Sequence, residues 1–311
     1  MASANNPWRV SALQSLKNRH FVITGANSGI GLQAARHLAS RDATVTMACR
    51  TVSKAEAARA ELAREFSAAT LSIEALDLTS LKSIKAFADR LVQHGRPVDV
   101  LINNAGVMAP PYTLTEDGFE MQIGTNHLGH FALTAQLWPL LKAGKNPRVV
   151  SVSSVYHKVG TIHFDDLHSK KKYRKWDAYA QSKIANLYFT FELERRARAS
   201  GCGVIAVACH PGYSATNLQT AGLIQDSTFT QKFFALGNNL LAQSAEQGAL
   251  PTVYAAAAEG VQGGEFYGPD GFLELRGTPV LVAPHARAKD AQVAAKLWTV
   301  SQEATGVLFD T

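Results

Sequence analysis

The stretch Thr24-Gly25-Ala26-Asn27-Ser28-Gly29-Ile30-Gly31 decides the fold of this chain. It follows the apolar run 20–24, a strand candidate, and precedes a helical period over 29–40. Glycine permits backbone conformations closed to other residues and lets the main chain approach a ligand with no Cβ in the way. A helix start adds unpaired N–H groups and the positive end of the helix dipole. A glycine-rich stretch alone is a weak signal, because it also serves as a plain connection. In the order strand, turn, helix it predicts a pyrophosphate cradle made by Gly25, Asn27, Ser28, Gly29, Ile30 and Gly31.

Outward from this turn, short apolar runs alternate with longer helical periods. Strands are expected at 20–24, 44–48, 71–75, 98–102, 148–153 and 203–209, with a last one near 265–267. Helices are expected at 29–40, 53–65, 81–94, 119–142, 177–199 and 245–257. The runs are apolar throughout or nearly so, as strands of a parallel sheet with both faces covered should be. The reading is a single α/β domain, a doubly wound parallel sheet of about seven strands. Its dinucleotide-binding half covers about 17–150, its catalytic and substrate-loop half about 151–271, and 272–311 is a tail. Two long connections, 156–176 and 218–240, leave carboxyl ends of strands, where such sheets bind ligands, and are read as substrate loops.

Bulk composition agrees. Of 311 residues, 46% are hydrophobic and 18% charged, which supports a large core and excludes wholesale disorder. The net charge of +6 suits a basic surface or phosphorylated ligands, and no nucleic-acid motif accompanies it. Cys49, Cys202 and Cys209 have no zinc-type spacing, and their odd number fits reduced thiols. No metal is expected. The first twenty residues lack the apolar core of a signal peptide, and no apolar run is long enough to span a bilayer. A cytoplasmic protein is expected. The basic run 170–175 reads as a solvated loop face, with an anionic membrane or acidic partner as the alternative.

Several short motifs then fall in order along the chain. The glycine spacing is G-x-x-x-G-x-G with Thr24 ahead of it. Asp77-Leu78 follows the third strand and Asn103-Asn104-Ala105-Gly106 the fourth. Ser153-Ser154 ends the fifth, Tyr179 and Lys183 lie one helical turn apart, and Pro211-Gly212 follows the sixth with Thr216 beyond. Together they resemble the short-chain dehydrogenase/reductase family, with its Rossmann-type fold, over about 17–271. The resemblance implies that Asp77, Leu78, Asn104, Ala105 and Gly106 flank the adenine side. It places Pro211, Gly212 and Thr216 by the nicotinamide, and it makes Asn126, Ser154, Tyr179 and Lys183 the catalytic set. Asn126 would position a proton-relay water.

The residue types suit the chemistry. Hydride exchange between nicotinamide and a carbinol carbon requires a proton at oxygen, and a tyrosine near Lys183 can exchange it. The ammonium is expected to bring Tyr179 down from its usual value of about 10 towards working pH and to hold the nicotinamide ribose. Ser154 would polarise the carbonyl. Along a strand only one of Ser153 and Ser154 can face a cleft, and the family pattern assigns the second. Downstream of the glycines the second strand ends Ala48-Cys49-Arg50-Thr51, with no carboxylate to hold a ribose 2′-hydroxyl. Arg50, helped by Lys54, is read as the ligand of a 2′-phosphate, making NADP(H) the expected cofactor.

Ser154 and Tyr179 lie 25 positions apart, with Ile162-His163-Phe164-Asp165-Asp166-Leu167 between them. This long gap resembles the retinol-dehydrogenase-like branch, which includes the WW-domain oxidoreductases, although the hydrophobic anchor of the membrane-bound members is missing. His210, ahead of Pro211-Gly212, reads as structural rather than catalytic. Phe164, Tyr213, Phe229, Phe233 and Phe234 are candidates for an apolar substrate wall or for core. The expected activity is NADP(H)-dependent interconversion of a carbonyl and an alcohol on an apolar small molecule, by a monomer or homodimer. Reduction of C=C bonds and a non-enzymatic NADP-binding regulatory role are the alternatives.

Overall fold

The computed structural model describes residues 7–213 and 243–310. The described residues form one eight-stranded sheet. Its strands are β1 His20–Thr24, β2 Thr44–Cys49, β3 Thr70–Ala75, β4 Val100–Asn103, β5 Arg148–Val152, β6 Ile205–Cys209, β7 Phe266–Pro269 and β8 Pro279–Leu281. Their spatial order is β3-β2-β1-β4-β5-β6-β7-β8. All pairings are parallel except β7 with β8, which is antiparallel. The chain leaves β1 in one direction and returns at β4 in the other, so a crevice opens between their carboxyl ends.

Both faces of the sheet are covered, as the apolar strands require. On one face α1 Gly29–Ala39, α2 Val52–Glu65 and α6 Ala245–Ala257 enclose Phe21, Ile23, Val45 and Met47. On the other, α3 Leu81–His94, α4 Gly129–Gln136 and α5 Lys175–Ser200 enclose Val22, Leu101 and Val149. Alternate residues of β1 thus serve alternate cores.

The expected doubly wound sheet is present, with Pro279–Leu281 added as an eighth strand on β7. Two expectations are corrected. β3 is not buried: as the edge strand it is covered on one side only and exposes Thr70, Ser72 and Ala75. The region 272–311, expected as a tail, holds β8 and α7 Ala291–Thr305, which packs on α5. Trp298 of α7 meets Phe131, Phe189 and Phe309 in one aromatic cluster. Burial of such a side chain contributes roughly 1.5–3 kcal/mol.

The expected helix 119–142 is interrupted. A short helical turn Met121–Ile123 runs into a π-helical turn Gly124–Leu128, where the Gly129 N–H reaches back to the Gly124 carbonyl. Such wide turns often occur at functional sites, and this one carries Asn126. The substrate-loop stretch 218–240 lies outside the described residues, as do Thr216, Phe229, Phe233 and Phe234.

Candidate active site

One cleft of about 380 Å³ lies along the carboxyl ends of β1, β2, β4 and β5. Its floor is the glycine turn. Gly25 adopts φ +67°, a left-handed conformation that glycine takes without strain. Gly31 has a different reason to be glycine: a Cβ there would stand 2.4 Å from the Gly25 carbonyl oxygen and 2.5 Å from Asn104 Nδ2. The missing side chain therefore lets the turn close on itself. A side chain there would meet the protein's own turn before any ligand is counted. No side chain caps α1 at Ser28, so the first N–H groups of the helix remain available for an anion.

Thr24 joins this turn to β4. Its hydroxyl accepts the N–H groups of Asn104 and Ala105, each at 2.9 Å, and the Asn104 amide donates to the Thr24 carbonyl at 2.8 Å. The same hydroxyl meets His130 Nε2 at 2.9 Å, while His130 Nδ1 lies 3.0 Å from the Asn126 carbonyl. A carbonyl only accepts, so Nδ1 carries the proton and Nε2 accepts from Thr24. Burial pushes His130 down to about 4, which keeps it neutral. No sequence motif pointed to His130.

Every described residue of the expected cofactor set lines the cleft except Lys54, the expected helper of Arg50. Arg50 is exposed at the end of β2. The Asp77 carboxylate accepts the Thr79 N–H and hydroxyl at 2.9 and 2.7 Å, holding the turn after β3. Pro211 and Gly212 form the far wall. The Gly212 N–H donates to His210 Nδ1 at 3.2 Å, so His210 Nε2 carries the proton and donates to Glu274 at 3.0 Å. This bonding ties the loop after β6 to the segment after β7.

The two serines point to different partners. The Ser153 hydroxyl donates to the Lys183 carbonyl at 2.8 Å and is buried against α5. Ser154 caps the short 3₁₀ turn Val155–Val159, lines the cleft and hydrogen-bonds the Tyr179 side chain. His157 steadies that turn. It bonds the Ser154 carbonyl through Nδ1 at 2.6 Å and accepts the His285 N–H on Nε2 at 3.2 Å.

Lys183, one helical turn beyond Tyr179 on α5, donates to the Val152 carbonyl at 3.2 Å, and its ammonium lies 5.7 Å from the centre of the Tyr179 ring. Burial governs both side chains. It lowers the lysine to about 8 and raises the tyrosine to about 12, against the pull of the Ser154 hydrogen bond. The expected lowering of Tyr179 by the ammonium is therefore not found: loss of solvation by the tyrosinate outweighs it. Asn126 is held by its side chain. Its amide exchanges hydrogen bonds with the Val107 main chain at 2.8 and 3.0 Å and donates to Ser182 at 2.8 Å. Its side chain does not line the cleft and braces the strand end after β4, while its main-chain carbonyl also meets His130 Nδ1.

Tyr156, Trp176, Val155 and Met108 also line the cleft and were not foreseen. Apolar residues in irregular segments carry no periodic signal that assigns them to a site. Tyr213 lies there as expected, whereas Phe164 packs with the core beside Lys296.

A sheet reversing over a glycine cradle, with serine, tyrosine and lysine in the same cleft, is the architecture of a nicotinamide-dependent oxidoreductase. The short chain dehydrogenase family model matches residues 19–225, and the chain belongs to that family. Within it the chain is retinol-dehydrogenase-like. It is 41% identical to human retinol dehydrogenase 13 over 94% of this chain and 86% of that protein. It is 40% identical to human retinol dehydrogenase 12 over 95% and 89%. Among solved structures it is similar to an uncharacterised protein of Mycobacterium paratuberculosis. Identity there is 45% and the TM-score 0.81, over 98% of this chain and 100% of that one. It is also similar to a Beutenbergia cavernae protein described as an NAD(P)-dependent gluconate 5-dehydrogenase, solved with NADP at low occupancy. Here identity is 25% and the TM-score 0.64, over 81% and 95%. Among the described residues no helix is long and apolar enough to cross a membrane.

Proposed function

We propose that this oxidoreductase uses NADP(H) to interconvert a carbonyl and an alcohol on an apolar small molecule. The observation that carries this reading is that Ser154, Tyr179 and Lys183 converge in the cleft that the glycine turn floors. The bound cofactor supplies or accepts the hydride. The uncapped start of α1 would hold its pyrophosphate, and Arg50 its 2′-phosphate. Asp77, Leu78, Asn104, Ala105 and Gly106 would flank the adenine side, with Pro211, Gly212 and Thr216 by the nicotinamide. Ser154 donates to the substrate oxygen and polarises the carbonyl. Tyr179 gives that oxygen its proton. Lys183 binds the nicotinamide ribose and supports the tyrosine electrostatically, while Asn126, its side chain braced by Val107 and Ser182, would position a relay water. The names of the retinol dehydrogenase relatives support carbonyl–alcohol chemistry, and the NADP in the Beutenbergia cavernae structure supports the phosphorylated cofactor.

A screen of NADPH and NADH oxidation over aldehydes, ketones and quinones tests the reading. Turnover of at least one class with NADPH is expected; a protein that binds NADPH and reduces none of them returns to the regulatory reading. Arg50→Asp should weaken NADPH binding roughly 10- to 100-fold by replacing a charge-assisted contact with repulsion, and leave NADH binding nearly unchanged. Equal wild-type affinities for the two cofactors would remove Arg50 from the selection. The serines should also separate. Ser154→Ala should slow turnover with cofactor affinity retained, whereas Ser153→Ala, which loses only a bond to the Lys183 carbonyl, should act through stability.

The pH dependence follows from the two buried groups. At neutral pH Tyr179 is protonated and Lys183 mostly charged, which favours reduction. The reduction rate should be flat below about pH 8 and fall above it as Lys183 loses its proton. Oxidation should rise with pH, because it needs the tyrosinate. A reduction rate that climbs through the same range contradicts this assignment.

A further inference from the structure

We propose that Glu274 is a positioning residue for the nicotinamide side of this cleft, acting through His210 on the main chain of Gly212. The proposal rests on the NADP(H) reading of the same site. The Glu274 carboxylate accepts the His210 Nε2–H at 3.0 Å, and His210 Nδ1 accepts the Gly212 N–H at 3.2 Å. The other carboxylate oxygen pairs with Lys158 Nζ at 3.0 Å. Lys158 stands on the turn that Ser154 caps, so Glu274 is held from that turn as well as from the loop after β6.

Three observations separate this chain of contacts from ordinary surface pairing. His210 is fully buried, with its ring centre 5.2 Å from that of Phe266. Gly268 leaves it room, since a Cβ there would stand 2.2 Å from His210 Nε2. Leu273 and Glu274 both take left-handed backbone angles, φ +52° and +58°, the one adjacent pair of non-glycine residues to do so among the described residues. Such angles cost free energy and persist where the surrounding structure imposes them, often at functional sites. The charges agree with the geometry. The hydrogen bond from His210 holds Glu274 down to about 2, and burial keeps the His210 ring below its usual value. A charged carboxylate therefore faces a neutral ring that donates to it.

Two neighbouring contacts act on the same wall. The Tyr213 N–H donates to the Leu275 carbonyl at 2.7 Å. The buried Gln243 side chain donates to the Pro211 carbonyl and accepts the Gly277 N–H at 3.3 Å. The turn between β7 and β8 thus grips Pro211, Gly212 and Tyr213 in succession, and all three line the cleft. Glu274 itself does not line it, so it acts on a ligand through His210 and Gly212.

The test compares NADPH with 2′,5′-ADP, which carries the adenine and 2′-phosphate and lacks the nicotinamide, each titrated by calorimetry into the full chain. Glu274→Ala should weaken NADPH about tenfold, the scale of one lost hydrogen bond, and leave 2′,5′-ADP within about twofold. Retained 2′,5′-ADP affinity shows that the cradle has folded. Glu274→Met, nearer in shape, should give the same split if the alanine variant folds poorly. Glu274→Gln, whose amide oxygen still accepts from His210, should keep NADPH within about threefold of wild type. His210→Ala should match Glu274→Ala, and the double variant should be no weaker than either, because the two residues act in series. Equal losses of both ligands, unchanged NADPH affinity without the carboxylate, a glutamine variant as weak as alanine, or additive losses in the double variant overturns the proposal and leaves the NADP(H) reading standing. A wild-type protein that binds neither ligand removes that reading and the proposal with it.

Discussion

Tyr179→Phe should lower carbonyl reduction by about 10²–10⁴ while leaving NADPH affinity within about twofold of wild type. Phenylalanine keeps the ring that packs between Tyr156, Trp176 and Lys183 and removes the hydroxyl that bonds Ser154. The size of the effect follows from the state of that hydroxyl. Burial holds the phenol near 12, so at neutral pH it carries its proton and acts as a ready acid. Water substitutes poorly for it, because the side chain is almost wholly enclosed. The cofactor contacts assigned to the glycine turn and Arg50 lie elsewhere in the cleft and should persist. The measurement is steady-state reduction of an accepted carbonyl, with cofactor fluorescence titrated in parallel. A variant within about threefold of wild type, where chemistry limits the rate, removes Tyr179 from the mechanism.

Gly31→Val should abolish cofactor binding, with affinity down by at least about 100-fold, and also lower the unfolding temperature. The cause lies inside the protein. The first added carbon would meet the Gly25 carbonyl and the Asn104 amide, both part of the junction held by Thr24. The turn must open to admit it, and overpacking of this kind costs about 1–3 kcal/mol or more. Calorimetric unfolding and NADPH titration together check this. Lost binding with an unchanged unfolding temperature would favour a direct clash with the ligand over distortion of the turn. Gly25→Val should act similarly for a different reason, since a β-branched residue at φ +67° is strained before any contact is counted.

What was legible in the sequence is local. The strand–turn–helix signal around Gly25 and Gly31, the bounds of β1 and α3, and the one-turn spacing of Tyr179 and Lys183 depend on residues near one another in the chain. Hydrophobic period and glycine spacing report such features directly, and together they determined a Rossmann-type domain and the family it belongs to. Tertiary structure decided what depends on distant neighbours. β3 reads as a buried strand and is exposed because nothing pairs with its outer edge. Residues 272–311 read as a tail, yet they close the sheet with β8 and cover α5 with α7. The different partners of Ser153 and Ser154 were set the same way: the Lys183 carbonyl takes the Ser153 hydroxyl, and Ser154 is left beside Tyr179. The side-chain partners of Asn126 were set by a π turn that carries its amide to Val107. The protonation of Tyr179 and Lys183 was decided the same way. A motif places an ammonium beside a phenol, but burial sets which charge survives, and burial is a property of the assembled cleft.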